Sequence, residues 1–385
     1  MKGFLRKRGN VWYTTFDLPR ILNQPRRQKC IKLGEVSKAE AQERERQVLR
    51  RYEEAQWVEE STKTVTELLD AWLTYLAPTP KSQIISPTTY ERYASIVNLH
   101  LKPHLGDVVL RKLGAPHIID AYAKVRDKGL SGRSCLHVHR VLHTALEYGT
   151  KTLRWLRANP SANVRSPKVA RRLSQIDEQA VRILLEAAKG TRFQCPVALT
   201  AMTGLRRGEL LALRWSRSID FERKRLVVSE SLEETKTFGL RFKAPKSGKA
   251  RVIPLADSAI PILRAHRAAQ NAERLRVGSL YHDGDLVFCN PDGRPWPPDT
   301  FTKQFAQIPR LVGMKGFRFH DLRHAFATLT LKNGTSVNEV SELLGHSSPV
   351  ITLSTYAHVI EGVAREAVNA LANNLVATPR GSEHA

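Results

Sequence analysis

From Thr64 onward the apolar positions Val65, Leu68, Leu69, Trp72, Leu73 and Leu76 recur at steps of three and four, so the pattern predicts an amphipathic helix with that stripe turned into a core. Ser86-Pro87 offers an N-cap followed by proline at the first helical position, and predicts a second helix through Tyr90, Tyr93, Ile96 and Val97. Two more follow, from about Pro116 and from about Gly132. The last carries Arg133, His137, His139, Arg140 and His143 among apolar Leu136, Val141, Leu142 and Leu146, and ends before Asn159-Pro160. Those basic side chains fit contact with phosphates and ordinary helix solvation equally well. Ahead of this helical stretch the period is shorter. Lys2 to Arg6, Val11 to Asp17 and Arg26 to Leu33 read as strands separated by Arg8-Gly9-Asn10 and by the loop from Pro19 to Pro25, and Ser37 caps a polar helix to about Arg51.

The segment from Ser166 to Arg172 is short, basic and proline-bearing, and marks a domain boundary. Beyond it, Ile176 to Ala188 is an amphipathic helix stopped by Gly190, and another runs from about Phe193 to Met202. Arg225 to Ser229, Phe238 to Phe242 and Ala250 to Ile253 are strand-like, with Pro245-Lys246-Ser247-Gly248-Lys249 expected at a hairpin tip. Helical patterns return around Leu322, Phe326 and Leu329, then Val337, Val340, Leu343 and Leu344, and finally after Pro349. The expected architecture is therefore multidomain and mainly α with small β elements. It comprises a three-stranded sheet plus helix in residues 1–60, a helical domain in 62–165 and an α+β domain in 173–385.

Charge narrows the partner. Across 385 residues, 61 Lys and Arg face 37 Asp and Glu, a formal net charge of +24, which implies a polyanion. The basic residues are dispersed among apolar positions over the whole length, so the cationic surface belongs to folded domains and not to a tail. Residues 1–33 alone hold nine Lys or Arg and one acid, which makes the first sheet a candidate groove-docking surface, with a merely solvated face as the alternative. No apolar run has membrane-spanning length, and the charged first residues lack an apolar segment behind them, so a cytoplasmic location is expected. Cys30, Cys135, Cys195 and Cys289 have no paired spacing, and neither a disulfide framework nor a zinc site is expected.

The chemistry is carried by separated polar runs. In Thr203-Gly204-Leu205-Arg206-Arg207-Gly208-Glu209, an arginine just after a glycine turn can send its planar fork onto two phosphate oxygens, and Glu209 is placed to orient it; taken alone, the run fits a surface salt bridge as well. Lys246, with Lys249 as the fallback, can reach a phosphate or protonate a leaving oxygen. His320 and Arg323, three apart on one helix, build half a cationic pocket, and Gly345 ends a helix so that His346 projects from a turn. Tyr356 follows ten positions later, as a nucleophile or as a core tyrosine. A phenol is a weak nucleophile at neutral pH and needs cations to stabilise the charge of the reacting phosphate, which Arg206, Arg323, Lys246 and the two histidines can supply. A metal-dependent nuclease needs clustered carboxylates, and only Glu209 and Asp321 lie in these runs; Walker and Rossmann glycine patterns are missing as well. Transesterification with no metal, nucleotide or other cofactor is the consistent expectation.

In this order and spacing the runs resemble those of the tyrosine recombinases of the phage integrase family, over almost the whole chain. The resemblance implies an AP2-like arm-binding domain, a SAM-like core-binding domain and a catalytic domain. It implies that Arg206 and Arg323 clamp the scissile phosphate, Lys246 is the general acid, His320 and His346 assist, and Tyr356 forms a 3′-phosphotyrosyl link. Arg207 beside Arg206 departs from the pattern, and the Arg-Leu register favours Arg206. The implied partners are double-stranded DNA at core and arm sites, further copies of the chain in a tetramer joined through the C-terminal helix, and an accessory DNA-bending or excision factor. The implied activity is integration or excision of a mobile element. A catalytically silent DNA-binding regulator and a type IB topoisomerase-like enzyme are the alternatives.

Overall fold

The computed structural model describes residues 3–17, 28–54, 62–79, 84–167 and 177–376. The chain divides into two compact units, Met1–Arg171 and Arg172–Ala385. Lys2, the loop from Pro19 to Pro25, Ile176 and most of the basic linker expected before Arg172 lie outside the described residues.

In the first unit, β1 (Gly3–Arg8), β2 (Val11–Asp17) and β3 (Gln28–Gly34) form an antiparallel sheet in that order, with Arg8 opposite Val11 at the first turn. Helix α1 (Lys38–Glu54) packs on it. Thr14 donates to Glu45 at 2.9 Å, Arg44 donates to the Leu33 carbonyl at 2.7 Å, and Phe16, Leu33 and Ala41 are buried between the layers. The charge of β1 stays outside: its side chains are largely exposed, as alternation requires of a sheet with one packed face.

The helical part begins with α2 (Val65–Leu76), whose buried residues are the six of the predicted stripe. Thr64 and Glu67 close a reciprocal capping box at its start. Helix α3 (Pro87–Ile96) starts at the Ser86 cap, but the helical path does not stop near Val97 as the pattern implied. It passes through a π turn at Val97–Leu101 into α4 (Lys102–Leu105). Pro103 has no N–H to donate back, and widening the turn ahead of it accommodates that loss. Helices α5 (Ala115–Asp127) and α6 (Gly132–Lys151) complete the core. Two α6 histidines turn inward: His139 pairs with the Tyr122 hydroxyl at 2.9 Å and His143 with Ser161 at 3.0 Å.

The second unit opens with α7 (Glu178–Ala188), capped by Asp177, then α8 (Gln194–Thr203), α9 (Arg207–Leu211) and α10 (Trp215–Ser218). Strands β4 (Ile219–Asp220), β5 (Arg225–Val228), β6 (Ser231–Thr235), β7 (Gly239–Lys243) and β8 (Arg251–Pro254) follow. Here the pairing differs from expectation. β7 pairs with β6, while β8 crosses to β5 in a β4-β5-β8 sheet, so residues 244–250 connect two sheets and are not a hairpin tip. Strand β6 escaped the sequence pattern because its two acids, Glu233 and Glu234, interrupt the apolar run; Glu233 is nevertheless buried and paired with Arg241 at 3.0 Å.

Helices α11 (Ala259–Val277), α12 (Pro298–Phe305), α13 (Gln307–Leu311), α14 (Phe319–Lys332), α15 (Val337–Leu344) and α16 (Pro349–Val376) finish the unit. Phe193 packs tilted against Trp296 and Phe301, and Phe301 and Phe305 meet Phe319 edge to face, filling the space between α8, α12 and α14. Helix α14 packs on α8 and α16, so the residues after the Gly204 turn, on α14 and around Tyr356 come together. Among the described residues no helix is long and apolar enough to cross a membrane.

Candidate active site

Two left-handed glycine turns organise the site. Gly204 ends α8 at φ 65° and Gly345 ends α15 at φ 64°, a region other residues enter only with strain. A helix end leaves its last carbonyls without intrahelical donors and carries a partial negative charge. At α15 three consecutive carbonyls each take a different guanidinium. Leu343 accepts from Arg251 Nε at 2.9 Å, Leu344 from Arg323 Nη2 at 2.7 Å and Gly345 from Arg206 Nη2 at 3.1 Å. Arg323 also donates Nη1 to the Gly204 carbonyl at 2.7 Å. Carbonyl acceptors orient a guanidinium without neutralising it.

Among the described residues, the one carboxylate inside the cluster is Glu209, 1% exposed. It receives a bidentate fork from Arg251 at 2.7 and 3.1 Å, Nη1 of Arg206 at 2.8 Å and the Arg206 backbone N–H at 3.0 Å. Burial by itself raises the pKa of Glu209, but hydrogen bonding and charge from Arg251, then from Arg206, overcome it and hold the carboxyl at about 2. Three guanidiniums against one carboxylate leave an excess of positive charge, the setting of an oxyanion site. Burial, then repulsion from Arg206, lowers Arg323 to about 9, which still leaves it charged at neutral pH.

Arg206 and Arg207 diverge. Arg206 is extended, ahead of the first turn of α9, and enters the cluster, whereas Arg207 is the first helical residue and donates to Thr302 and, at 2.8 Å, to the Pro298 carbonyl on α12. His346 follows the Gly345 turn and pairs through Nδ1 with the fully buried Thr352 hydroxyl at 2.7 Å. Burial first, then Arg323 and Arg206, lowers its pKa to about 4, so it is neutral at pH 7. His320 stands at the rim, open to solvent on one side and packed on the other. That packing, followed by the charges of His324 and Arg323, places its pKa below the usual imidazole range.

Tyr356 is 4% exposed and sits where α16 breaks from helical geometry, at φ −114° and ψ 18°. Its hydroxyl lies 2.9 Å from His324 Nδ1. Burial raises the phenol to about 12 against the pull of Arg323. Beyond it, Val359 and Ile360 pack into the small core of α14 and α15; the side chains of Val363 and Val368 lie outside the described ones.

The structure thus brings together Arg206, Glu209, His320, Arg323, His346 and Tyr356. Lys246 stands apart, exposed on the 244–250 connection, where its charge combines with burial to lower the pKa of Lys243. Two members were not anticipated. Arg251 was readable only as context in the strand pattern, although alternation puts it on the same side as buried Ile253. His324 lies four residues after His320 on α14, a spacing that signals a shared face.

A buried tyrosine hydroxyl thus lies beside an arginine cluster whose excess positive charge suits a phosphate, on a helical unit carrying two small sheets. Residues 173–362 match the Phage integrase family and residues 64–125 the Phage integrase N-terminal SAM-like domain. The chain is 28% identical over 328 residues to a tyrosine recombinase XerC-like protein of Caldanaerobacter subterraneus subsp. tengcongensis, covering 80% of this chain and 82% of that one. It is 27% identical over 358 residues to an integrase of Streptomyces ambofaciens, covering 88% of each. A solved fragment of the Tn1549 transposon integrase in complex with transposon right-end DNA shares the fold, with a TM-score of 0.66 and 21% identity over 80% of this chain and 99% of that one. The chain belongs to the phage integrase family and is a tyrosine site-specific recombinase.

Proposed function

We propose that Tyr356 is the nucleophile and that the scissile DNA phosphate sits on the guanidiniums of Arg206 and Arg323. The observation that carries this is the Tyr356 hydroxyl buried within the charge field of Arg323, whose guanidinium and that of Arg206 are held on the adjacent carbonyls of Leu344 and Gly345 at the end of α15. The phenolic oxygen bonds to phosphorus as the bond to the 5′ oxygen breaks, leaving a 3′-phosphotyrosyl link. Lys246 protonates the departing oxygen. Its place outside the cluster fits a general acid that the 244–250 connection brings in when DNA is bound. His320 and His346, neutral at pH 7, donate hydrogen bonds to phosphate oxygens, and Glu209 holds Arg206 and Arg251 in register. Attack by a 5′ hydroxyl of another strand reverses the step and reseals DNA without ATP.

The domain roles are part of the same reading. Residues 173–385 carry catalysis, residues 62–165 embrace the core site with them, and residues 1–60 bind a distal arm site through the basic sheet. Paired sites are joined in a tetramer through the end of α16. The biological reaction is integration and excision of a mobile element in the host cytoplasm, with an accessory bending or excision factor setting direction. Resemblance to mobile-element integrases, including the ICEBs1 integrase of Bacillus subtilis at 23% identity, supports that choice.

The test is covalent trapping. A nicked duplex carrying the core of the element's attachment site is incubated with wild-type protein and with Tyr356→Phe, with excess EDTA present, and resolved on a denaturing gel. Wild type forms the protein–DNA adduct and Tyr356→Phe binds the duplex but forms none. An adduct with Tyr356→Phe, or one that requires magnesium, refutes the assignment.

A further inference from the structure

Tyr356 as nucleophile leaves one proton unaccounted for. The phenol is buried in the field of Arg323, which stabilises its anion, yet burial dominates and its proton is held more tightly than in water. The phosphate supplies no base strong enough to remove it, and Arg206, Arg251 and Arg323 are donors only. The atom in contact with the hydroxyl is His324 Nδ1 at 2.9 Å. Resting on the nucleophile assignment above, we infer that His324 is the general base of strand cleavage, accepting the Tyr356 proton at Nδ1 as the phenolic oxygen attacks phosphorus.

The surroundings keep that imidazole ready to accept. His324 lies on α14 one turn after His320, the two rings meeting edge to face with centroids 4.9 Å apart, and its ring is tilted against Tyr356 from α16. The charged groups facing it are Asp321, Arg318 and Arg323 around α14, and the titratable neighbours are His320 and, from the turn after α15, the neutral His346. Burial comes first, Asp321 opposes it, and Arg318 and Arg323 add to it; the net effect is a lowered pKa, so the ring is neutral at pH 7. A proton on Nε2 leaves the Nδ1 lone pair toward the phenol. His320 makes no hydrogen bond to Tyr356 among the described residues, and His346 Nδ1 is occupied by Thr352. In cleavage the Oη–H and P–O5′ bonds break, the Oη–P and Nδ1–H bonds form, and the 5′ oxygen takes its proton from Lys246. Religation runs the same transfers backwards, His324 returning its proton to the departing phenolate.

The test compares His324→Asn, which keeps a polar group near Nδ1 but cannot carry the proton, with Lys246→Ala and Tyr356→Phe. Single-turnover adduct formation is measured on a nicked core duplex and on the same duplex with a 5′-bridging phosphorothiolate, whose thiolate leaves without an acid. His324→Asn is expected to be slower by about 100-fold or more on both substrates, within the range for loss of a general base. Lys246→Ala is slow on the ordinary duplex and restored by sulfur. Wild-type protein on the phosphorothiolate loses rate as pH falls below the ordinary imidazole range, and His324→Asn lacks that limb. Rescue of His324→Asn by sulfur, or wild-type rates on both duplexes, overturns the base assignment while leaving Tyr356 in place. An adduct with Tyr356→Phe overturns the reading beneath it. Duplex binding is measured for each variant. If His324→Asn does not bind, the wild-type profile decides: a rate on the phosphorothiolate that stays flat on acidification refutes the proposal.

Discussion

Replacing Glu209 by Gln removes one charge from the centre of the site while keeping the side chain's shape. The carboxylate accepts four hydrogen bonds, two from Arg251, one from the Arg206 guanidinium and one from the Arg206 backbone, at 1% exposure. An amide oxygen cannot serve all of them, and the amide nitrogen points a donor at donors. The lowering of its pKa from 4.5 to about 2 corresponds to about 3 kcal/mol of preference for the charged form in the folded state. Breaking a buried ion pair from one side costs about 3 to 5 kcal/mol, so both routes converge on a loss of about 3 kcal/mol. Urea titration followed by the fluorescence of Trp215 and Trp296, both in this unit, should show a midpoint lower by about 1.5 M for an m value of about 2 kcal/mol/M. Because the folded pKa lies below the unfolded one, this stabilisation is present above pH 4.5 and is lost as pH falls toward 2. The gap between wild type and variant must therefore narrow across that window. A variant as stable as wild type at neutral pH, or a gap that persists unchanged on acidification, refutes the account of Glu209 as the buried counter-charge of the arginine cluster.

Neighbouring arginines should separate cleanly: Arg206→Ala lowers cleavage on the order of 100-fold or more, the cost of losing a donor aimed at developing charge, while Arg207→Ala, whose partners lie on α12, leaves the cleavage rate close to wild type in single-turnover adduct assays. Gly345→Ala forces a Cβ onto a residue at φ 64° and within 2.8 Å of Arg251 Nη1, so it should cost about 1 to 2 kcal/mol of stability in the same urea titration and slow cleavage by displacing Arg251 from Glu209.

Many helices of this chain, though not α11, α12 or α13, are legible in its sequence because their causes are local. Six apolar residues at helical spacing become the six buried residues of α2, and Ser86 ahead of Pro87 caps α3 through a bond that reaches three residues. The polar runs that end at Arg206, Arg323, His346 and Tyr356 are legible for the same reason, since each follows a turn glycine or a helical repeat. Strand partners were not. Whether β8 pairs with β7 or with β5 depends on contacts that periodicity does not record, and the tip expected at Lys246 became a connection between sheets. The site itself is decided at still longer range. Arg206 meets the Gly345 carbonyl across 139 residues, Arg251 meets Leu343 across 92, and His324 meets Tyr356 across 32. One residue of register at the start of α9 selects Arg206 over Arg207, because the extended cap and the first helical residue point to different neighbours. A sequence specifies which groups are available and which turn they leave from; only packing α15 end-on against the arginines supplies the three free carbonyls that hold like charges together.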